Sequence, residues 1–316
     1  MYFVLIFNPS AGRNRHRRAA QIRQVALGLT ALGHRIEVVE TTAPGSATKQ
    51  AQDAARGKPD AIFACGGDGT IHEVLQALVS ETGEPSTVMG IIPLGSANAL
   101  AHHLGIALNP LTAALQGINV RPQTIPVGKV TYGDQVRYFT VVAGAGPDGA
   151  LVYDVLAPQK SNLGRLAYSL HAVRLFATRR FPSFEIEYSN AETGRTSTQQ
   201  AVSAMAARIA NLGGIFSRLA GRGTSLHDGY LRLVLLRPPA ALALPLWFAT
   251  GWLGLQRLNP YLSHVNATTF SCRPLSGPGS YFEADGEWLG RIPMQVSLVP
   301  NALRLLVPER EKGRGI

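Results

Sequence analysis

The run Gly66-Gly67-Asp68-Gly69-Thr70 packs three glycines, a carboxylate and a hydroxyl into five residues. Glycines in a loop let backbone N–H groups approach phosphate oxygens, and a helix starting there adds the positive end of its dipole. A carboxylate in the same loop repels phosphate unless a cation stands between them. Asp68 is therefore a candidate to place Mg2+ or an incoming hydroxyl. The competing structural reading is a turn in which Asp68 and Thr70 cap a helix. Two other loops have a similar character, Asn8-Pro9-Ser10-Ala11-Gly12 and Leu94-Gly95-Ser96-Ala97-Asn98. Each alone is a common turn; with the Gly66 loop they give three segments able to line one crevice. The Gly66 loop follows neither the GxxxxGK[ST] nor the GxGxxG spacing.

These loops need elements that present them together. Hydrophobic patterning predicts strands at Tyr2–Phe7, Arg35–Glu40, Ala61–Cys65 and Val88–Ile92. Helical periodicity falls between them, at Arg13–Leu32, Ser46–Ala55, Ile71–Val79, Asn98–Leu104 and Pro110–Ile118. Strands alternating with helices imply a doubly wound, mostly parallel sheet, and each candidate loop then sits at the carboxyl end of a strand, where open α/β sheets bind ligands. After Gln123 strand patterns dominate: Val127–Thr131 and Val136–Val142 as a hairpin, then Phe184–Tyr188, Val202–Ala207, Leu231–Leu236, Gln295–Val299 and Leu303–Val307, with one helix at Arg165–Thr178. The expected architecture is an α/β domain over residues 1–124 and a mostly antiparallel β-sandwich domain over 125–316, whose last strand region is able to pack back on the first domain.

Composition narrows the class. The 316 residues are 46% hydrophobic and 16% charged, enough for a sizeable core. The net charge of +10 is uneven, +2 up to Thr124 and +8 from Ile125 onward, which fits either an anionic partner for the second part or arginines placed on solvated faces. Only Cys65 and Cys272 are present, in no CxxC, so a zinc ribbon and a disulfide framework are excluded and a reducing compartment fits. Met1–Phe7 lacks basic residues and is expected to be a first strand rather than a leader. The stretch between Arg237 and Arg257 carries no charge and approaches spanning length. Pro238, Pro239, Pro245, Gly251 and Gly254 interrupt it, so a helix buried in the fold or lying on a membrane surface is expected. His102-His103 lack partners at metal-ligand spacing and read as helix surface; Arg13, Arg15, His16, Arg17 and Arg18 read as the solvated start of a helix, with an anionic phosphate or membrane as the alternative. No nucleic-acid-binding module is present. Asp228-Gly229 and Asp285-Gly286 read first as hairpin turns; Glu287 is not a turn former.

Taken together, Asn8-Pro9-x-x-Gly12, Gly66-Gly67-Asp68-Gly69-Thr70 and Pro93-Leu94-Gly95-Ser96-x-Asn98 resemble the diacylglycerol kinase catalytic domain, a family that includes bacterial diacylglycerol kinase-like lipid kinases and the sphingosine and ceramide kinases. Gly144-Ala145-Gly146-Pro147-Asp148, Gly164-Arg165-Leu166-Ala167-Tyr168, His227-Asp228-Gly229-Tyr230-Leu231 and Asp285-Gly286-Glu287 continue the likeness in family order. The resemblance implies a cytoplasmic, peripherally membrane-associated, ATP- and Mg2+-dependent kinase acting on a lipid hydroxyl, with a lipid-binding second domain and an oligomeric state in which a homodimer is open. ATP would contact Asn8, Pro9, Ser10, Ala11, Gly12, Thr41, Gly66, Gly67, Asp68, Gly69, Thr70, Ile71, His72 and Ser96. Glu287 would accept the proton, with Asp68 and Asp285 in the catalytic group, although in the sphingosine kinase branch Asp68's counterpart is the base. Asp148 would lie near the lipid headgroup. Asp228, with carbonyls of Ser225 and Tyr230, would hold a structural Mg2+. Asn98-Ala99-Leu100-Ala101-His102 stands where the bacterial branch has Asn-Asp-Phe-Ala-Arg, which removes a carboxylate and looks more like the sphingosine and ceramide kinases. Two rival readings are an NAD kinase-type nucleotide kinase, which shares the GGDGT run, and a non-catalytic lipid- or nucleotide-binding regulator.

Overall fold

The structure, a computed structural model, describes residues 1–11, 15–147, 149–150, 181–209 and 225–308. The chain divides into two compact units, Met1–Val127 with Val299 onward, and Gly128–Leu298. The sequence alone suggests one boundary at 124/125; the structural division lies at Val127 and the chain returns to the first unit at Val299.

In the first unit, β1 (Tyr2–Phe7), α1 (Arg15–Ala31), β2 (Arg35–Glu40), α2 (Ser46–Arg56), β3 (Ala61–Gly66), α3 (Asp68–Leu78), β4 (Val88–Pro93), α4 (Ala99–Leu104) and α5 (Pro110–Ile118) alternate as expected. The strands are parallel in the order β2-β1-β3-β4, and Arg304 and Leu305 of the final strand extend the sheet beside β4. Every residue of β3 and β4 is buried, the signature of strands covered on both faces. Ile22, Val25 and Leu29 form a helical stripe on α1 and join Leu111 and Leu115 of α5 over Phe3, Leu5, Phe63 and Cys65. Val4, Ile6, Ile62 and Ala64 alternate to the opposite face, and α2 and α3 pack against β1 and β3. Because β2 and β3 lie on opposite sides of β1, the strand order reverses there. A topological switch point of this kind opens a crevice outside the carboxyl ends of the strands.

The second unit is built from the end of β5 (Pro122–Tyr132), β6 (Gln135–Phe139), β7 (Val142–Ala145), β8 (Phe184–Asn190), β9 (Thr196–Ala201), β10 (Ser203–Ala207), β11 (Leu231–Leu236), α6 (Ala240–Leu253), a 3-10 turn at Gln256–Leu258, β12 (Leu262–Pro274), β13 (Tyr281–Ala284), β14 (Glu287–Arg291) and the start of β15 (Met294–Leu306). Its pairings are antiparallel, in the order β14-β13-β7-β10-β11-β12. Strand β12 pairs with β11 over its first half. After an irregularity between Ala267 and Thr269 it pairs with β8 and β15. A bulge of this kind lets one strand pass from one sheet of a sandwich to the other. Phe139, Phe184, Phe270, Phe282, Leu233 and Val296 fill the core between the layers.

Several differences from the sequence reading have a physical cause. Strand β9 (TSTQQA) is largely exposed and polar and, among the described residues, pairs with β8 alone, so it lacks an apolar signal. The expected strands Gln295–Val299 and Leu303–Val307 are one strand, β15, which runs on through Pro300 and through Asn301 at φ 50°. The expected strand Val136–Val142 breaks at Thr140-Val141. The predicted helix at Arg165–Thr178 and the run Gly164–Tyr168 lie outside the described residues.

Candidate active site

Asn8, just past β1, ties two of the candidate loops together. Its amide donates to the Cys65 carbonyl at 3.0 Å and its side-chain Nδ2 to Thr70 Oγ1 at 3.0 Å, while its Oδ1 accepts from the Ser10 amide at 2.8 Å. Helix α3 starts early, at Asp68, with extended Gly67 as its N-cap, and the amide of Ile71 makes the first helical bond to the Gly67 carbonyl. Asp68, Gly69 and Thr70 therefore form a first helical turn, whose amides have no intrahelical acceptor and suit a phosphate. A side chain on Gly66 would strike Thr70, and a Cβ on Gly95 would stand 2.5 Å from the Gly67 Cα. The second and third loops thus touch backbone to backbone, which only glycine permits.

The third loop is braced by Asn98, buried and left-handed at φ 48°. Its Oδ1 accepts from the Gly95 amide and its Nδ2 donates to the Gly95 carbonyl, both at 2.9 Å. Asp68 Oδ1 accepts from the Ala99 amide at 2.7 Å, so the carboxylate is anchored at the start of α4. Ser96 is exposed, Thr41 donates its amide to the Phe7 carbonyl at 2.8 Å, and Ile71 and His72 are buried along α3, where His72 Nε2 lies 3.3 Å from Gln76 Nε2. Glu73, which the sequence reading missed, accepts from the amides of Gly45 (2.9 Å) and Ala47 (3.1 Å) and fixes the start of α2. Its only sequence signal is its place one turn after Gly69.

In the second unit, Asp285 and Gly286 are the two-residue turn of the β13–β14 hairpin, with φ of 48° and 82°. The turn reading holds, yet the Asp285 carboxylate also reaches across the fold. It accepts from the amides of Thr140 (2.9 Å), Val141 (2.9 Å) and Val142 (3.0 Å). Asp285 donates its own amide to the Val142 carbonyl at 2.8 Å, and buried Glu283 accepts from the Gly286 amide at 2.8 Å. With both carboxylate oxygens engaged by backbone, Asp285 braces the hairpin. The resemblance groups it with the catalytic carboxylates. Glu287, the next residue but one, opens β14 with its side chain 43% exposed and its Oε2 3.5 Å from Arg137 Nε. Burial raises the pKa of the Tyr132 hydroxyl; Arg137 lowers it and Glu287 raises it.

Comparison with known proteins bears on both units. The diacylglycerol kinase catalytic domain model matches residues 2–130, and the YegS C-terminal NAD kinase beta sandwich-like domain matches residues 141–307. The diacylglycerol kinase of Bacillus subtilis (strain 168) is 34% identical over 234 residues, 74% of this chain and 73% of that protein. The chain belongs to the diacylglycerol kinase family. It is a lipid kinase, a phosphotransferase with an alcohol group as acceptor, and membership implies ATP as the donor. The crystal structure of a diacylglycerol kinase from Bacillus anthracis str. Sterne superposes with a TM-score of 0.72 at 24% identity, covering 97% of this chain and 96% of that one. Yeast NADH kinase complexed with NADH shares the fold more distantly, with a TM-score of 0.50 at 11% identity over 98% and 84% of the two chains.

Some positions matched to this kinase family lie outside the described residues, namely Gly12 and Asp148. The turn offered for a structural Mg2+ is described, and its groups are engaged by the protein. Ser225 donates its amide to Asp228 Oδ2 at 2.8 Å, and its carbonyl accepts from the Asp228 amide at 3.0 Å. The Tyr230 carbonyl accepts from Arg208 Nη1 at 2.9 Å. As they stand, Asp228 Oδ2 and the carbonyls of Ser225 and Tyr230 each already accept a hydrogen bond from the protein. Among the described residues no three His, Cys, Asp or Glu side chains gather as a metal site. Burial pulls the Arg208 guanidinium down to about 10, with Asp228 and Tyr230 opposing that shift.

Proposed function

We propose that this kinase moves the γ-phosphate of ATP onto a hydroxyl of a membrane-resident neutral lipid, diacylglycerol in the first instance, as a peripheral protein on the cytoplasmic face. The observation that carries the reading is the backbone contact of Gly67 with Gly95. It draws the loops after β3 and β4 together at the first turn of α3, beside a fixed Asp68. The amides of Asp68, Gly69 and Thr70 would hold phosphate oxygens, with Asn8 bracing the loop and Ser96 and Thr41 serving the nucleotide. Mg2+ travelling with the nucleotide would neutralise charge at the transferred group, and Asp68 is the side chain suited to orient it. Glu287 would take the proton from the acceptor hydroxyl as its oxygen bonds to the γ-phosphorus and ADP leaves with the bridging oxygen.

Two features support membrane docking. Helix α6 buries Ala243, Leu244, Trp247 and Thr250, but its other face is apolar as well, with Leu242, Pro245, Ala249 and Leu253 outward. Leu255 and Leu258 continue the exposed patch, flanked by Arg237 and Arg257. Apolar insertion beside arginines suits an anionic bilayer surface. Among the described residues no helix is long and apolar enough to cross a membrane.

The test is transfer of label from γ-labelled ATP to diacylglycerol, monoacylglycerol, a sphingoid base and ceramide in mixed micelles, with NAD as a separate acceptor. Label on diacylglycerol is expected. It should fall on the order of 10²–10⁴-fold in Asp68→Ala and in Glu287→Gln. Label on a sphingoid base or ceramide alone would reassign the headgroup. Label on NAD alone, or turnover indifferent to both substitutions, would overturn the reading.

A further inference from the structure

The turn leading into β11 is closed around a cation that belongs to the chain itself. Arg208 follows β10 and is 0% exposed. Its Nη1 donates to the carbonyls of Asp228 at 3.0 Å and Tyr230 at 2.9 Å, and its Nη2 donates to the carbonyl of Leu226 at 2.6 Å. Three carbonyl oxygens converging on one positive centre, with a carboxylate in the same turn, form an all-oxygen donor set of the kind a hard divalent ion takes. Here a planar guanidinium satisfies it with directed N–H groups. The Asp228 carboxylate and the Ser225 carbonyl are closed on each other's backbone within the same turn. A divalent ion entering these donors would meet a buried like charge where water screens little.

The contact extends toward the candidate base. The Arg208 amide donates to the Val141 carbonyl at 2.8 Å, and the Val141 amide donates to Asp285. One residue thus links the 225–230 turn to the 140–142 segment from which the Asp285–Glu287 hairpin is hung.

We propose that Arg208 is a built-in substitute for a structural divalent cation: its guanidinium holds the 225–230 turn without a metal ion, beside the 140–142 segment to which its backbone amide is bonded. The inference concerns the fold of the second unit and stands apart from which lipid is phosphorylated.

The experiment is thermal melting of the full, nucleotide-free chain, treated with EDTA or supplied with millimolar Mg2+, for wild type, Asp228→Asn and Arg208→Met. The wild-type midpoint should agree in the two conditions within about 1 °C. Arg208→Met should melt about 5 °C lower or more, since buried carbonyls lose their donors. A Mg2+-dependent rise in wild type that Asp228→Asn abolishes would overturn the proposal, as would an unchanged midpoint in Arg208→Met. A rise of equal size in wild type and Asp228→Asn places the ion elsewhere and agrees with it. If Arg208→Met does not fold, the wild-type and Asp228→Asn arms still decide, because neither alters Arg208.

Discussion

Asp285 and Glu287 stand two residues apart, and their surroundings assign them different work. Asp285 accepts three backbone amides, while Glu287 keeps a half-exposed carboxylate beside Arg137. Removing the first strands buried donors, which costs about 1–3 kcal/mol for each group left unpaired. Removing the charge of the second breaks an exposed pair of little energetic worth. Asp285→Ala is therefore expected to lower both activity and the melting midpoint, the latter by about 5 °C. Glu287→Gln should lose activity with a midpoint within about 1 °C of wild type. Differential scanning fluorimetry beside the label-transfer assay separates the two; an undiminished midpoint in Asp285→Ala would contradict the bracing described here. Cys65 shows how burial silences a residue: its thiol is fully enclosed and its pKa is pushed well above the usual range, so it is unsuited to nucleophilic work.

At the scale of elements, α6 departs from an ordinary surface helix. A helix packed on one side is expected to carry polar residues on the other. Here Leu253 is 64% exposed on α6 and Leu258 71% exposed just beyond it. If that face enters a bilayer, Leu242→Asp combined with Leu253→Asp should weaken sedimentation with anionic vesicles on the order of tenfold or more, from the apolar burial lost. The melting midpoint should barely move, because both side chains already face outward. Unchanged sedimentation would remove α6 as the docking face. The loops after β1, β3 and β4 make the complementary case. Each is short and ordinary alone, and gains meaning because a parallel sheet delivers all three to the same edge.

At the scale of the whole molecule, acid sensitivity has a named contributor. His264 on β12 has its pKa lowered, first by burial and then by Arg232, and its Nε2 has no hydrogen-bond partner among the described residues. The native state therefore favours the neutral ring more than the unfolded chain does. Between the depressed native pKa and the unfolded value of about 6.5 the unfolded chain binds more protons, so stability falls as pH drops through that window. Urea unfolding at pH values above and below it should show the loss in wild type and less of it in His264→Gln. Equal losses in both would exclude His264 as the source.

Much of the first unit was legible because parallel strands buried on both faces read as unbroken apolar runs and their helices as clean periodic stripes, from Val4 and Phe63 to Val25 and Leu29. The GGDGT run was legible because glycines beside a carboxylate at a strand end have few other uses. Local pattern could not reveal β9, the unity of β15, or the part played by Arg208 and Glu73. Their partners lie far along the chain, and a long-range hydrogen bond leaves no periodic trace. Residue types and spacing by themselves determined the α/β class and marked the glycine loops with Asp68; the carboxylates of the second unit became candidates only through the family resemblance. Only the tertiary structure showed that Asp285 is held by three backbone amides, that Glu287 lies beside Arg137, and that a buried arginine reaches into the turn offered to a metal. Those outcomes depend on which backbone groups the fold brings within hydrogen-bonding distance.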